Sequence, residues 1–219
     1  MLDLFAGAGG MSTGFEMEEN KFVIVAANEI NISACGTYKH NHKGCVLIPG
    51  DINDEKNINE IIELSIKLKV KGITGGPPCK GISNSGDKDP RDNRTKLYIP
   101  YLNIVSQVKP DFFVIENVPG IKNMRIIPDN IFESIKDEYK EELNIFDILQ
   151  NKKNKNGSKR NEKGRIIPLT SEEQKEYIKL KKIINKNISI GVLDDIIKRA
   201  NDIGYKIVHK KVLESQFHS

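Results

Sequence analysis

Three features of the chain predict an α/β fold with a mostly parallel sheet covered by helices on both faces. Short apolar runs alternate with stretches of helical periodicity. The runs are apolar throughout rather than every second residue, as strands buried on both faces must be. Glycines and acidic residues fall just after them, at the strand ends where open α/β sheets bind ligands.

Taken in order, residues 1–5 read as a buried strand and 6–10, Ala-Gly-Ala-Gly-Gly, as a tight turn. Residues 11–18 begin a helix, with Ser12 or Thr13 in its first turn. A second strand over 21–27 ends at Asn28-Glu29, and 32–40 follows as a helix. Val46, Leu47 and Ile48 lead into Gly50-Asp51-Ile52. Ile58, Ile61, Ile62 and Ile66 mark one helical face over 58–68. Residues 70–74 form a strand running into Gly75-Gly76-Pro77-Pro78-Cys79, and 97–108 a helix. The apolar strand 111–115 ends at Glu116-Asn117-Val118. Residues 125–189 then turn rich in Lys, Asn and Glu, and 150–163 read as an exposed polar loop. Periodicity returns in a helix from 192 to near Gly204, and 205–213 read as a strand.

At 219 residues with 38% hydrophobic and 29% charged residues, one globular domain with a sizeable core is expected. No apolar run has membrane-spanning length and the N-terminus carries no basic leader, so a cytoplasmic protein without a membrane partner is expected. The net charge of +4 is compatible with nucleic-acid binding but is equally a product of Lys-rich composition. The basic tract could touch phosphates, although a solvated insertion is the commoner outcome. Cys35, Cys45 and Cys79 lack metal-ligand spacing, and no metal site is expected.

Two constellations carry chemistry. The first is the turn Phe5-Ala6-Gly7-Ala8-Gly9-Gly10 with Glu29 and Asp51 after the next two strands. Glycines let a ligand approach the backbone, Glu29 can accept two ribose hydroxyls, and Asp51 can accept an adenine amino group. The turn lacks the Gly-Lys-Ser/Thr ending of a triphosphate loop. A ribose and an adenine without a phosphate cradle point to S-adenosylmethionine rather than a dinucleotide. The second is Cys79 with Glu116 and Asn117. Two prolines restrict the backbone before the thiol, which suits an aimed nucleophile. Lys80 beside it favours the thiolate. Glu116 follows an uncharged strand, where desolvation would keep it protonated and able to donate to a ring nitrogen.

The order and spacing of residues 3–10, Asn28-Glu29, Gly50-Asp51-Ile52, Gly76-Pro77-Pro78-Cys79 and Glu116-Asn117-Val118 resemble the cytosine-C5 DNA methyltransferases, strongly over 1–124 and weakly over 192–219. The resemblance implies a Rossmann-like S-adenosylmethionine-dependent methyltransferase fold acting on duplex DNA, in the setting of a restriction–modification system. It implies base flipping, addition of the Cys79 thiolate to carbon 6 of cytosine, a contact of Glu116 with N3 supported by Asn117, and methylation at carbon 5. Phe5 would pack on the adenine, with Ala6, Gly7, Gly9 and Gly10 forming the turn. Glu29 would hold the ribose, Asp51 the amino group, and Ile30 and Ile52 the adenine slot, with Pro78 and Leu97 also against the cofactor.

The chain departs from the family pattern in Lys80-Gly81-Ile82 after the cysteine and in a longer insertion at about 125–189. It also stops at Gln216-Phe217-His218-Ser219, where the family continues into an Arg-bearing segment, the target-recognition domain and closing motifs. A partial catalytic domain, incomplete at its C-terminus, with little activity alone is therefore expected, and a second chain carrying those parts would complete it. A tRNA cytosine methyltransferase, or an inactive product of a truncated or split gene, are the alternative readings.

Overall fold

The computed structural model describes residues 1–17, 22–78, 96–128, 137–156 and 169–210. Its first compact unit contains a five-stranded, wholly parallel sheet. The strands are β1 (Leu2–Leu4), β2 (Ala26–Glu29), β3 (Val46–Pro49), β4 (Gly72–Gly75) and β5 (Phe112–Ile115), in the spatial order β3-β2-β1-β4-β5. The order reverses between β1 and β4, and that reversal opens the ligand crevice of this fold class. The three central strands β1, β2 and β4 are buried at every position, so their polar residues Asp3, Asn28 and Glu29 are buried with them.

The helices α1 (Gly10–Glu16), α2 (Ile32–Asn41), α3 (Glu55–Lys67) and α4 (Tyr98–Val108) follow the first four strands. The side chains of Asn31 and Asp54 cap α2 and α3 by accepting the backbone N–H groups of Ala34 and Lys56. Helix α3 buries Ile61 and Ile62, and α4 buries Tyr101, Leu102, Ile104 and Val105, so each lays one apolar stripe on the core. Helix α4 stops at Lys109, which takes a left-handed φ of 51° directly before Pro110.

Two of the expected strands are shorter or missing. Strand β2 begins at Ala26 rather than at 21, because Ala26 registers with Leu2, the first residue of β1. Val23 and Val25 still hydrogen-bond Met1 just ahead of β1, and Phe22 packs edge-on against Phe15 at 5.4 Å and Phe112 at 6.0 Å. Residues 205–210 form no strand, and 211–213 lie outside the described residues. Tyr205 turns into the core, its ring 5.1 Å from Phe113 and its hydroxyl donating to the Pro110 carbonyl at 2.5 Å, while Val208 is 87% exposed. With no neighbouring strand to complete a ladder among the described residues, the apolar pattern there does not produce one.

The helix numbered α7 here (Val192–Asp202) ends before Gly204, as its pattern predicts. Its buried Asp195 accepts a hydrogen bond from the Tyr98 hydroxyl at 2.5 Å and from Arg199 Nε at 2.6 Å, fixing the start of α4 to α7.

The second compact unit includes residues Met124–Gly191. A short antiparallel pair, β6 (Arg125–Ile126) and β7 (Ile190–Gly191), joins its ends. Between them lie α5 (Lys140–Asn156) and α6 (Ser171–Asn187), whose core contains Leu143, Phe146, Leu149, Tyr177, Leu180 and Ile184. The polar loop expected over 150–163 is corrected here. Residues 150–156 complete α5, and 157–163 lie outside the described residues. Gln150 continues the inner face at helical spacing from Phe146 and is buried, with its Oε1 accepting from the Tyr177 hydroxyl at 2.6 Å. A satisfied polar residue on the buried face made the segment look solvated. Lys152 pairs with Glu173 in the first turn of α6, so part of the basic tract is neutralised within the hairpin.

Candidate active site

The sheet register lines up the chemistry. Asn28, Leu4, Gly75 and Ile115 are successive register partners across β2, β1, β4 and β5. The next residues along the chain are Glu29, Phe5, Gly76 and Glu116. Neighbouring strands lie about 5 Å apart, so Phe5 and Glu116, two strands apart, sit roughly 10 Å from each other at one edge of the sheet.

Glu29 is the centre of the first half of this row. It is 8% exposed, and both its carboxylate oxygens accept backbone N–H groups, from Gly7 at 2.8 Å and from Asn31 at 2.7 Å. It thereby joins the glycine turn to the start of α2. Phe5 and Gly7 both adopt a φ of 56°, and Gly9 one of 97°. For Phe5 this is a sparsely populated conformation held by its surroundings. A Cβ placed on Gly7 or Gly10 would meet nothing within 4 Å, so the turn faces open space on that side. Ala6 is buried, and its N–H donates to the Asn28 carbonyl at 3.0 Å.

Asn28 links β2 to the end of β3 by donating to the Ile48 and Gly50 carbonyls at 2.9 and 3.1 Å. Beyond Gly50, the Asp51 Oδ1 accepts from both the backbone and side-chain nitrogens of Asn53, at 2.9 and 3.0 Å. Asp51 is exposed, Ile52 is buried, and Ile30 is 60% exposed beside Glu29. An acidic, an apolar and a backbone-lined element thus border the turn, and a nucleoside fits the chemistry of that set.

In the second half of the row, Asn117 Nδ2 donates to the Pro77 carbonyl at 3.1 Å and Glu116 N–H to the Gly75 carbonyl at 3.0 Å. A Cβ on Gly76 would stand 3.2 Å from Glu116 Oε2, so the absence of a side chain there admits the carboxylate. A Cβ on Gly75 would lie 2.4 Å from the Leu4 carbonyl oxygen, which keeps β1 and β4 pressed together. Glu116 is exposed, and the burial expected of it is not found, because β5 is an outer strand among the described residues. Pro77 is buried and Pro78 half-buried, whereas Cys79 lies outside the described residues. Leu97 caps the N-terminus of α4. Cys35 is buried and Cys45 half-buried, both are free, and burial raises both thiols above their ordinary range.

Beneath the turn lies a polar network that the sequence reading did not identify. Asp3 is only 1% exposed and accepts from Ser12 Oγ at 2.5 Å, which in turn contacts the Tyr38 hydroxyl at 2.7 Å. Ser12 is therefore a buried tie to β1 rather than a helix cap. Cys35, Tyr38 and His42, at i, i+3 and i+7 along α2, carried the signal of an inward face. Burial pushes the Asp3 carboxyl up to about 6 from 3.8, against the opposing effect of the Ser12 hydrogen bond. The protonated acid is then favoured by folding, so stability is greatest below about pH 4 and falls as pH rises to about 6, by about 3 kcal/mol at most. Asp3→Asn, which retains an acceptor for Ser12, is expected to flatten that slope in urea unfolding measured from pH 4 to 7. An unchanged slope would contradict the burial argument.

A wholly parallel sheet with this strand order and helices after its first four strands defines the Rossmann-like class. The family model for C-5 cytosine-specific DNA methylase matches residues 1–144, and the chain belongs to that family. It is 38% identical over 125 residues to the Type II methyltransferase M.AgeI of Thalassovita gelatinovora, covering 56% of this chain and 28% of that protein. It is 39% identical over 125 residues to M.DdeI of Desulfomicrobium norvegicum, covering 57% and 29%. With M.FnuDI of Fusobacterium nucleatum it shares 37% identity over 142 residues, covering 64% and 37%. The matched region thus spans about a third of the length of these relatives. No helix among the described residues is long and apolar enough to cross a membrane.

Proposed function

We propose that this chain provides the cofactor-binding and nucleophile-bearing part of a DNA cytosine-C5 methyltransferase of a restriction–modification system. The observation that supports the reading is the registered row Glu29, Phe5, Gly76 and Glu116 along the carboxyl edge of the sheet, where this fold class binds its ligands, with Cys79 three residues after Gly76 in sequence. S-adenosylmethionine, when bound, supplies an electrophilic methyl group. Phe5, Ala6, Gly7, Gly9 and Gly10 form its turn, Glu29 takes the ribose hydroxyls, Asp51 takes the adenine amino group, and Ile30, Ile52, Pro78 and Leu97 border it.

Carbon 5 of neutral cytosine is a poor nucleophile, so the ring must first be activated. The Cys79 thiolate forms a bond to carbon 6, and Glu116 delivers a proton or a hydrogen bond to N3, which shifts electron density to carbon 5. Asn117 positions both partners, since it adjoins Glu116 and holds the Pro77 carbonyl two residues before the thiol. Once carbon 5 is methylated, loss of its proton expels the thiolate and restores the ring. Duplex DNA is the proposed substrate, with the target base extruded from the stack.

Calorimetry tests the cofactor half directly. Binding of S-adenosylmethionine and its demethylated product, with none of NAD, is the expected result. Binding of NAD in their place, or of neither methyl-donor form, would overturn the assignment of the turn.

A further inference from the structure

The imidazole of His42 lies directly beneath the glycine turn. The residue is buried at the end of α2, and its ring stacks on Tyr38 with centroids 4.5 Å apart. Its Nδ1 is 2.8 Å from the Glu16 carboxylate, and its Nε2 is 3.2 Å from the Gly9 carbonyl oxygen. A Cβ on Gly9 would stand 2.2 Å from that same Nε2. Gly9 is thus required twice, for its φ of 97° and for the room it leaves the ring.

Both ring nitrogens face acceptors. Neutral imidazole offers one N–H and one lone pair, and a lone pair aimed at a carbonyl oxygen or a carboxylate is repulsive. A ring carrying N–H on both nitrogens satisfies the two contacts, whereas one whose Nε2 instead accepts from the Thr13 hydroxyl leaves the Gly9 carbonyl unclamped. We infer that His42 is a positioning residue for the cofactor turn, clamping the Gly9 carbonyl through Nε2–H while Glu16 holds Nδ1–H and sets the ring plane. The charged and titratable groups around the ring are Glu16 from α1, Asp3 from β1, which is electrostatically coupled to it, and Tyr38 from α2. Thr13 Oγ1, which donates to the Gly9 carbonyl at 2.9 Å, lies 3.5 Å from Nε2 and completes the polar surroundings. This role rests on the turn being the S-adenosylmethionine site. It adds that the site is held from below by a side chain outside the turn.

The test combines calorimetric binding of S-adenosylmethionine with nitrogen-15 NMR of the His42 ring. The expected result for His42→Ala is a loss of affinity of about tenfold, the size of one hydrogen bond from a charged donor. His42→Gln, whose side-chain amide can donate to the Gly9 carbonyl, should recover most of the affinity. Affinities equal to wild type in both variants, with only a lowered melting temperature, would reduce His42 to packing and overturn the inference. So would a wild-type ring signature with no proton on Nε2. A wild-type chain that binds no S-adenosylmethionine at any pH would instead remove the reading of the turn, and the inference with it.

Discussion

Glu29→Ala is expected to abolish measurable S-adenosylmethionine binding and to lower stability by about 2–4 kcal/mol, since two partly buried hydrogen bonds are lost at about 1–2 kcal/mol each. The groups are those of Gly7 and Asn31, which the carboxylate bridges at 2.8 and 2.7 Å. For a chain of this size the cost corresponds to a fall in melting temperature of roughly 4–16 °C. Glu29→Gln separates the two effects. Its single amide oxygen can accept one of the N–H groups while its NH2 confronts the other, so part of the stability should return with little of the binding. Calorimetry and thermal melting on the same samples measure both. Normal affinity in a folded Glu29→Ala protein would show that the carboxylate serves the backbone alone.

The other large effect is expected at Cys79. In a preparation that methylates DNA, Cys79→Ser should form no covalent adduct with duplexes containing 5-fluorocytosine, because a serine hydroxyl is not ionised near neutral pH and no base adjoins it in sequence. Affinity for S-adenosylmethionine should stay within about twofold, since the glycine turn and Glu29 are untouched. Cys79 stands two positions along the sequence from Pro77, a buried proline whose carbonyl Asn117 holds at 3.1 Å. Asn117→Ala should therefore slow adduct formation without eliminating it. A trapped adduct in the serine variant, seen on a denaturing gel, would move the nucleophile elsewhere.

Much of this arrangement was legible before any coordinates, for a physical reason. A parallel sheet buried on both faces demands unbroken apolar or small-residue strands, and its crevice demands ligand groups straight after them. Glu29, Asp51 and Glu116 were expected at or just after strand ends, and the structure has them there. The residues beneath the turn were not foreseen. Ser12 looked like a helix-start residue, and His42 carried no signal of its own, because their partners Asp3 and Glu16 are distant in sequence or on another helix. The hairpin of α5 and α6 was hidden by composition. Its buried face includes Gln150, and its flanks are lysines, so a count of residue types saw solvent where the packing has Phe146 stacked on Tyr177 at 5.1 Å. The expected strand after Gly204 failed because an apolar pattern specifies a face and not a partner.

The lock between α4 and α7 works like a latch on one side of the sheet. Pro77 is moored by Asn117, and α4 starts at Tyr98, whose hydroxyl is bolted to Asp195 and through it to Arg199. Asp195 has no place in the row of strand ends, yet cutting its bond would unfasten the start of α4 from α7.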